Sequence, residues 1–170
     1  MGNIKDPYAR SVLGVGFISE GKYKPSYKAY PAKESLLGRE LYQSRLPSKN
    51  YQLLAQDQIP SQIDELHKVD FHKLTVLFSL NQASVYHDET ERAHMLEFLS
   101  QIMLSDEHVL YIGTQNGDVV ASAIVTEAED SLLISDVIIE NGQDINGFAK
   151  QLHDFWAQDH ASHDKVWVEN

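Results

Sequence analysis

The dipeptide Asn116-Gly117 sits between two apolar runs, Val109 to Ile112 and Val119 to Val125, and restricts this chain more than any other stretch. Asn and Gly tolerate the positive φ that a two-residue hairpin turn demands of both central positions, while β-branched flanks favour extended backbone. The pattern predicts an antiparallel hairpin. A second polar turn, Glu129-Asp130-Ser131, leads into Leu132 to Ile139, apolar at nearly every position. Such a run predicts a strand covered on both faces and extends the hairpin to a three-stranded meander.

Helical spacing brackets the meander. From Asp88 to Leu104, Met95, Leu96, Leu99, Ile102 and Met103 recur at three and four with Glu91, Arg92 and Glu97 between them, which predicts an amphipathic helix. After Ile139, the residues Ile145, Phe148, Leu152, Phe155 and Trp156 fall on one helical stripe, and Lys165 to Val168 alternates like a strand. Strand, helix and strand in that order predict a parallel crossover. Upstream, Tyr51 to Ala55 reads as a short strand, and Ser61-Gln62-Ile63-Asp64 reads as a capping box opening a helix that carries Ile63, Leu66 and Val69. Residues 33–46, with Leu37, Leu41 and Tyr42 among charges, read either as a helix or as a linker.

The 170 residues, 42% of them hydrophobic, are the size of one domain with a real core. There is no cysteine, which excludes disulfides, thiolate zinc sites and a cysteine nucleophile. A net charge of -11 opposes long-range attraction to nucleic acid or to an anionic membrane, and neither is expected as a partner. No basic segment followed by an apolar run opens the sequence and no stretch has the length to span a bilayer, so the expectation is a cytoplasmic protein. The same negative field opposes an anionic cofactor, which would need locally arranged backbone donors.

The order from Tyr51 to Val168, strand, two helices, meander, helix, strand, resembles the GNAT superfamily of N-acetyltransferases. The sharpest match is at the join of the fourth strand and third helix, where that family reads Gln/Arg-x-x-Gly-x-Gly/Ala and this chain offers Asp144-Ile145-Asn146-Gly147-Phe148-Ala149. Small residues there let the backbone approach a pyrophosphate held by free N–H groups at a helix start. The resemblance implies an α+β (mixed α/β) fold, a central, mostly antiparallel twisted sheet flanked by helices. It further implies acetyl-CoA as co-substrate, transfer of its acetyl group to a primary amine on a small molecule or protein, and contact of the pantetheine arm with the backbone of Ile138 and Ile139. Asp144 departs from the family pattern. A capping carboxylate would occupy donors that a pyrophosphate needs, and its charge would repel the ligand by roughly 1 kcal/mol. A non-catalytic GNAT-like domain, acting as a dimeric or regulatory partner, therefore stands beside the transferase.

The ends of the chain resemble two sides of one cut. Lys165 to Asn170 is similar to the family's fifth strand, while Asp6 to Tyr30, with Gly14, Gly16 and Gly21, is similar to its closing helix and hairpin. One domain over residues 1–170 is expected, with 1–30 as that ending, 31–50 a linker and 51–170 the amino-terminal and cofactor-binding part. Circular permutation, exchange of ends between two copies in a homodimer, a boundary drawn through a tandem pair, or an unrelated amino-terminal hairpin would each leave this trace. By the resemblance, the acid that protonates the leaving thiolate is a tyrosine; the matching position holds Val12, and Tyr8 lies one helical turn earlier. Asp136 and Glu127 are the carboxylates that strand position offers as the base, although Asp136 in an apolar strand equally suits a structural pair. His153, His160 and His163, interleaved with Asp154, Asp159 and Asp164, have no metal-site spacing and read as a helix terminus. Lys22, Lys24 and Lys28, alternating with Tyr23, Tyr27 and Tyr30, make the one locally basic stretch, read as a hairpin lining an acceptor cleft.

Overall fold

A computed structural model describes residues 33–55, 60–101, 104, 106–128, 130–140 and 144–169. Its centre is the expected meander: β3 (His108–Gln115), β4 (Asp118–Glu127) and β5 (Ser131–Ile139), each antiparallel to the next. Asn116 and Gly117 take φ of 53° and 84°, the pair of positive values that a type I′ turn requires. Helix α4 (Ile145–Trp156) then carries the chain back to β6 (Lys165–Glu169), which lies parallel to β5. The predicted crossover is present.

Two short strands complete a six-stranded mixed sheet in the order β1-β6-β5-β4-β3-β2. Strand β1 (Tyr51–Leu53) runs antiparallel to β6. Strand β2 (Glu65–Lys68) runs antiparallel to β3 and corrects the helix expected from the capping-box pattern. Ser61 Oγ accepts from the amide of Ile63, closing a local turn, and Asp64 accepts from the amide of Asn116 at 2.8 Å instead of capping its own chain. Ile63 and Leu66 pack on one face of the sheet and Val69 on the other. A helix would have placed all three on one stripe, so the three-residue spacing matched helix and strand alike.

Residues 33–46, open between helix and linker, form helix α1 (Lys33–Arg45), followed by a 3-10 turn (Leu46–Ser48). Helix α2 (His72–Ala83) has no counterpart in the sequence reading, because its apolar residues Leu74, Val76, Leu77, Phe78 and Leu80 are nearly continuous and hide the period. Helix α3 (Glu89–Leu99) is the expected amphipathic helix, capped by Asp88, which accepts from the amide of Glu91 at 3.0 Å. Met95 and Leu99 are buried as anticipated; Ile102 and Met103 lie outside the described residues.

Alternation along the strands separates two cores. Leu110, Ile112 and Leu133 meet Phe78, Phe98 and Tyr42 beneath α1, α2 and α3. Val109, Tyr111, Leu132 and Ile134 meet Phe148, Leu152 and Trp156 beneath α4. The sheet is thus covered on both faces, and residues 131–136 of β5 are buried throughout. Helices α1 and α3 approach so closely at Gly38 that an added Cβ would stand 2.0 Å from the carbonyl oxygen of His94 and 2.7 Å from Phe98 Cβ. Since one of those atoms is backbone, relief requires the helices to move apart. Gly38→Ala is expected to lower unfolding free energy by about 3 kcal/mol in urea titration, at the upper end of overpacking costs; a change within experimental error would show that the helices separate freely.

Candidate functional site

Strand β5 loses its regular partners at Asp136. Ser122 of β4 pairs with Ile138 and Ile124 with Ser135, so two residues of β5, Asp136 and Val137, stand against the single Ala123. This is a β-bulge, and Asp136 holds φ of 49°, an uncommon conformation for a residue with a Cβ. On the other side the parallel ladder with β6 ends at Ile134–Val168. Past that point β6 has one further described residue, Glu169, and a notch lined by Asp136, Val137, Glu169, Tyr42 and Lys49 opens beside the bulge, at the end of the sheet where β5 leads towards α4.

Charged side chains fill the notch. Asp136, with 3% of its side chain exposed, accepts from the Tyr42 hydroxyl at 3.0 Å through Oδ2 and from Lys49 through Oδ1. Lys49 Nζ lies 3.1 Å from Oε1 of Glu169 and 5.5 Å from the centre of the Tyr42 ring. The amide of Val137, turned outward by the bulge, donates to Oε2 of Glu169 at 3.3 Å. Behind this group, Gln82 Nε2 donates to the carbonyl of Asp136 at 2.6 Å and to Ser122 Oγ at 2.8 Å, while the Ser122 hydroxyl donates to Asn81. A positive-φ residue costs of order 1–3 kcal/mol and persists where its surroundings fix it. Here the carboxylate and the carbonyl of Asp136 are both held.

Two carboxylates share one ammonium, so the group keeps an excess negative charge in a half-closed space. Burial, then the charge of Asp136, raises the Glu169 carboxyl above its ordinary range, against the pull of Lys49. Burial works against the charge of Lys49, but Asp136 and Glu169 outweigh it and hold the ammonium above the usual lysine range. Burial and then Asp136 push the Tyr42 phenol well up, and burial and then Glu169 do the same to Tyr51. Beside the group is a cavity of 260 Å³ lined by Tyr42, Lys49, Tyr86, Met95, Asp136 and Glu169, among others.

Helix α4 starts at the same end of the sheet. Asp144 is its N-cap and accepts from the amide of Gly147 at 2.9 Å, the competition with an anion that the sequence suggested. Asn146 accepts from the amide of Ala55 at 3.2 Å, which ties the chain after β1 to the first turn of α4. Gly147, Phe148 and Ala149 are buried against the sheet and Ile145 is half-buried. Small residues at this helix start therefore also serve close packing. Ile138 and Ile139 line a second, larger groove of 660 Å³ with Leu77, Leu80 and Asn81 of α2.

Glu127 is not brought to this site. It pairs across from Leu132, four residues before Asp136 on β5, or about 13 Å along the strand. There it meets Nε2 of His163 at 2.7 Å. His160 stacks on Trp156 with ring centres 4.2 Å apart, His163 lies tilted against it at 5.8 Å, and the His160 ring lies 2.9 Å from the Trp156 carbonyl. No group of three or more histidine, aspartate or glutamate side chains among the described residues is placed to hold a metal ion. Tyr8 and Val12, with the basic stretch from Lys22 to Tyr30, lie outside the described residues.

The sequence reading found Asp136 but not Tyr42, Lys49, Gln82 or Glu169 as its partners. The available signal was that a carboxylate in an apolar strand needs a partner. Nothing local could identify Lys49, which is 87 positions away. No family model matches the chain, and no curated protein matches it.

Two expected outcomes follow from this charge arrangement. Lys49→Met leaves two carboxylates facing each other without a cation and is expected to lower stability by about 3–5 kcal/mol, measured by denaturant unfolding near neutral pH; a loss below about 1 kcal/mol would place the pair among solvent-screened surface contacts. The second concerns alkali. Lys49, raised above an ordinary 10.5, contributes stability that is complete below that pH and is lost as pH rises through its higher folded value. Tyr42 and Tyr51, raised above an ordinary 10.0, have the same sign because the fold favours the neutral phenol. In an alkaline titration their tyrosinate absorbance is expected to rise only together with loss of far-UV ellipticity. Complete tyrosinate formation in a protein of unchanged ellipticity would contradict the burial described here.

Proposed function

We propose that this chain is a GNAT-type N-acetyltransferase that moves an acetyl group from acetyl-CoA to a primary amine. One observation carries the reading: a lined notch stands at the bulge of Asp136, beside the parallel strands β5 and β6 of a crossover unit and at the end of the sheet from which α4 starts. A notch of that kind receives an extended acyl-pantetheine arm as though it were a further strand, with N–H and C=O groups of Ile138 and Ile139 as partners. The amino-terminal turn of α4, from Ile145, is then the part to meet the pyrophosphate.

In this reading the amine nitrogen attacks the thioester carbonyl carbon, its proton passes to a carboxylate, and the carbon–sulfur bond breaks as the thiolate leaves and is protonated. Asp136, occupied by Lys49 and Tyr42, is poorly disposed to take that proton. Glu169 is the better base: burial and the charge of Asp136 raise its carboxyl above the ordinary range, and it holds Lys49 less closely than Asp136 does. Glu127 takes no part. The acid role that the family resemblance gives to Tyr8 stays with the amino-terminal segment.

Two observations favour a second reading, a non-catalytic GNAT-like domain acting as a dimeric or regulatory partner. Lys49 already occupies the notch, and Asp144 already occupies the amide of Gly147. Calorimetric titration with acetyl-CoA at low salt separates the two. Saturable binding by the natural chain is expected for the transferase, with a further gain of about tenfold for Asp144→Arg, which exchanges a repelling charge for an attracting one. Binding only after that replacement supports the non-catalytic domain, and no binding in either form overturns the coenzyme A reading. Where turnover is found, Glu169→Gln is expected to lower kcat by roughly a hundredfold with little change in KM for acetyl-CoA; an unchanged kcat removes Glu169 from the chemistry.

A further inference from the structure

We propose that the notch beside Asp136 is a binding site for a primary ammonium group, and that its resident occupant is the chain's own Lys49. A primary ammonium presents three N–H donors and one alkyl stem. Lys49 finds partners in three directions: Oδ1 of Asp136, Oε1 of Glu169 at 3.1 Å, and the Tyr42 ring at 5.5 Å. Two anionic acceptors and an aromatic face form the usual setting for an alkylammonium head.

The surroundings exceed what one lysine requires. The carboxylates outnumber the ammonium, and Arg45, the other cation lining the cavity, stacks over Tyr86 at 4.9 Å. The 260 Å³ beside the ammonium, walled in part by Val85, Met95 and Ile138, has room for the carbon chain of a second amine. A ligand amine therefore enters the carboxylate pair by displacing Lys49. Lys49 reaches the pair as a latch from the short segment between a 3-10 turn and the three-residue edge strand β1. The latch keeps the site closed until a ligand ammonium of higher affinity arrives. As the acceptor subsite of an acetyltransferase this inference rests on the proposed function; as an ammonium site it rests on the geometry.

The test uses n-propylammonium, which replaces the atoms that Lys49→Ala removes, and no coenzyme A, so failure of the coenzyme A reading cannot be mistaken for failure of the site. Thermal midpoints of the natural chain and of Lys49→Ala are measured with n-propylammonium or tetramethylammonium chloride at equal ionic strength. At about tenfold excess over Kd, n-propylammonium is expected to raise the midpoint of Lys49→Ala by roughly 4 °C, while tetramethylammonium, with no N–H donor, does not, and the natural chain responds to neither. Lys49→Ala/Glu169→Gln keeps Asp136 with less uncompensated charge and is expected to show the same preference even where Lys49→Ala alone is poorly folded. Equal responses to the two cations in both variants, or a response of the natural chain as large as that of Lys49→Ala, would overturn the proposal.

Discussion

The contact of Lys49 with Asp136 and Glu169 ties together parts of the fold that backbone hydrogen bonding leaves separate. Strands β5 and β6 pair only as far as Ile134 and Val168, and the bulge then turns Val137 away from β4. Without charged side chains in the opening, the carboxylate of Asp136 and the amide of Val137 would face a poorly solvated gap, at a cost of several kcal/mol for the charge alone. Lys49 answers the first need and Glu169 the second. Tyr42 brings α1 into the same group and Gln82 brings α2. The helical layer of α1 and α2 and the sheet thus meet at one buried ion cluster.

The bulge also explains why so much polar chemistry gathers at one end of an otherwise apolar sheet. Residues 132–134 of β5 are buried among aliphatic and aromatic side chains, and a regular continuation would extend that surface. Positive φ at Asp136 breaks the alternation and aims a carboxylate at Tyr42 of the helical layer. Conformational cost there is offset by the partners of Asp136, so strain, charge and open space coincide. That coincidence marks the notch as the candidate site more strongly than any single residue does.

How much of this was legible in the sequence depended on the range of each interaction. The hairpin at Asn116-Gly117, the cap at Asp144 and the crossover through α4 are local patterns, and all three are present. The segment from Ser61 to Val69 misled because three-residue spacing suits a helix face, whereas Ile63 and Val69 belong to opposite faces of a sheet. Helix α2 was hidden by the opposite problem, an apolar run with too few polar interruptions to show a period. At the site, burial made Asp136 conspicuous, but its cation comes from a loop 87 positions earlier, a pairing that only tertiary structure supplies. Glu127 looked equivalent to Asp136 on the page because strand position along the sheet is not visible in a list of residues.

The notch beside Asp136 is the place where a ligand is proposed to meet this fold. Amide chemical shifts followed by NMR during addition of acetyl-CoA test that most directly. Shifts concentrated at Val137, Ile138, Ile139 and Gly147, with loss of the Lys49 contact to Asp136, are the predicted result; shifts absent from these amides, or confined to the surface around Trp156 at the other end of α4, would contradict it.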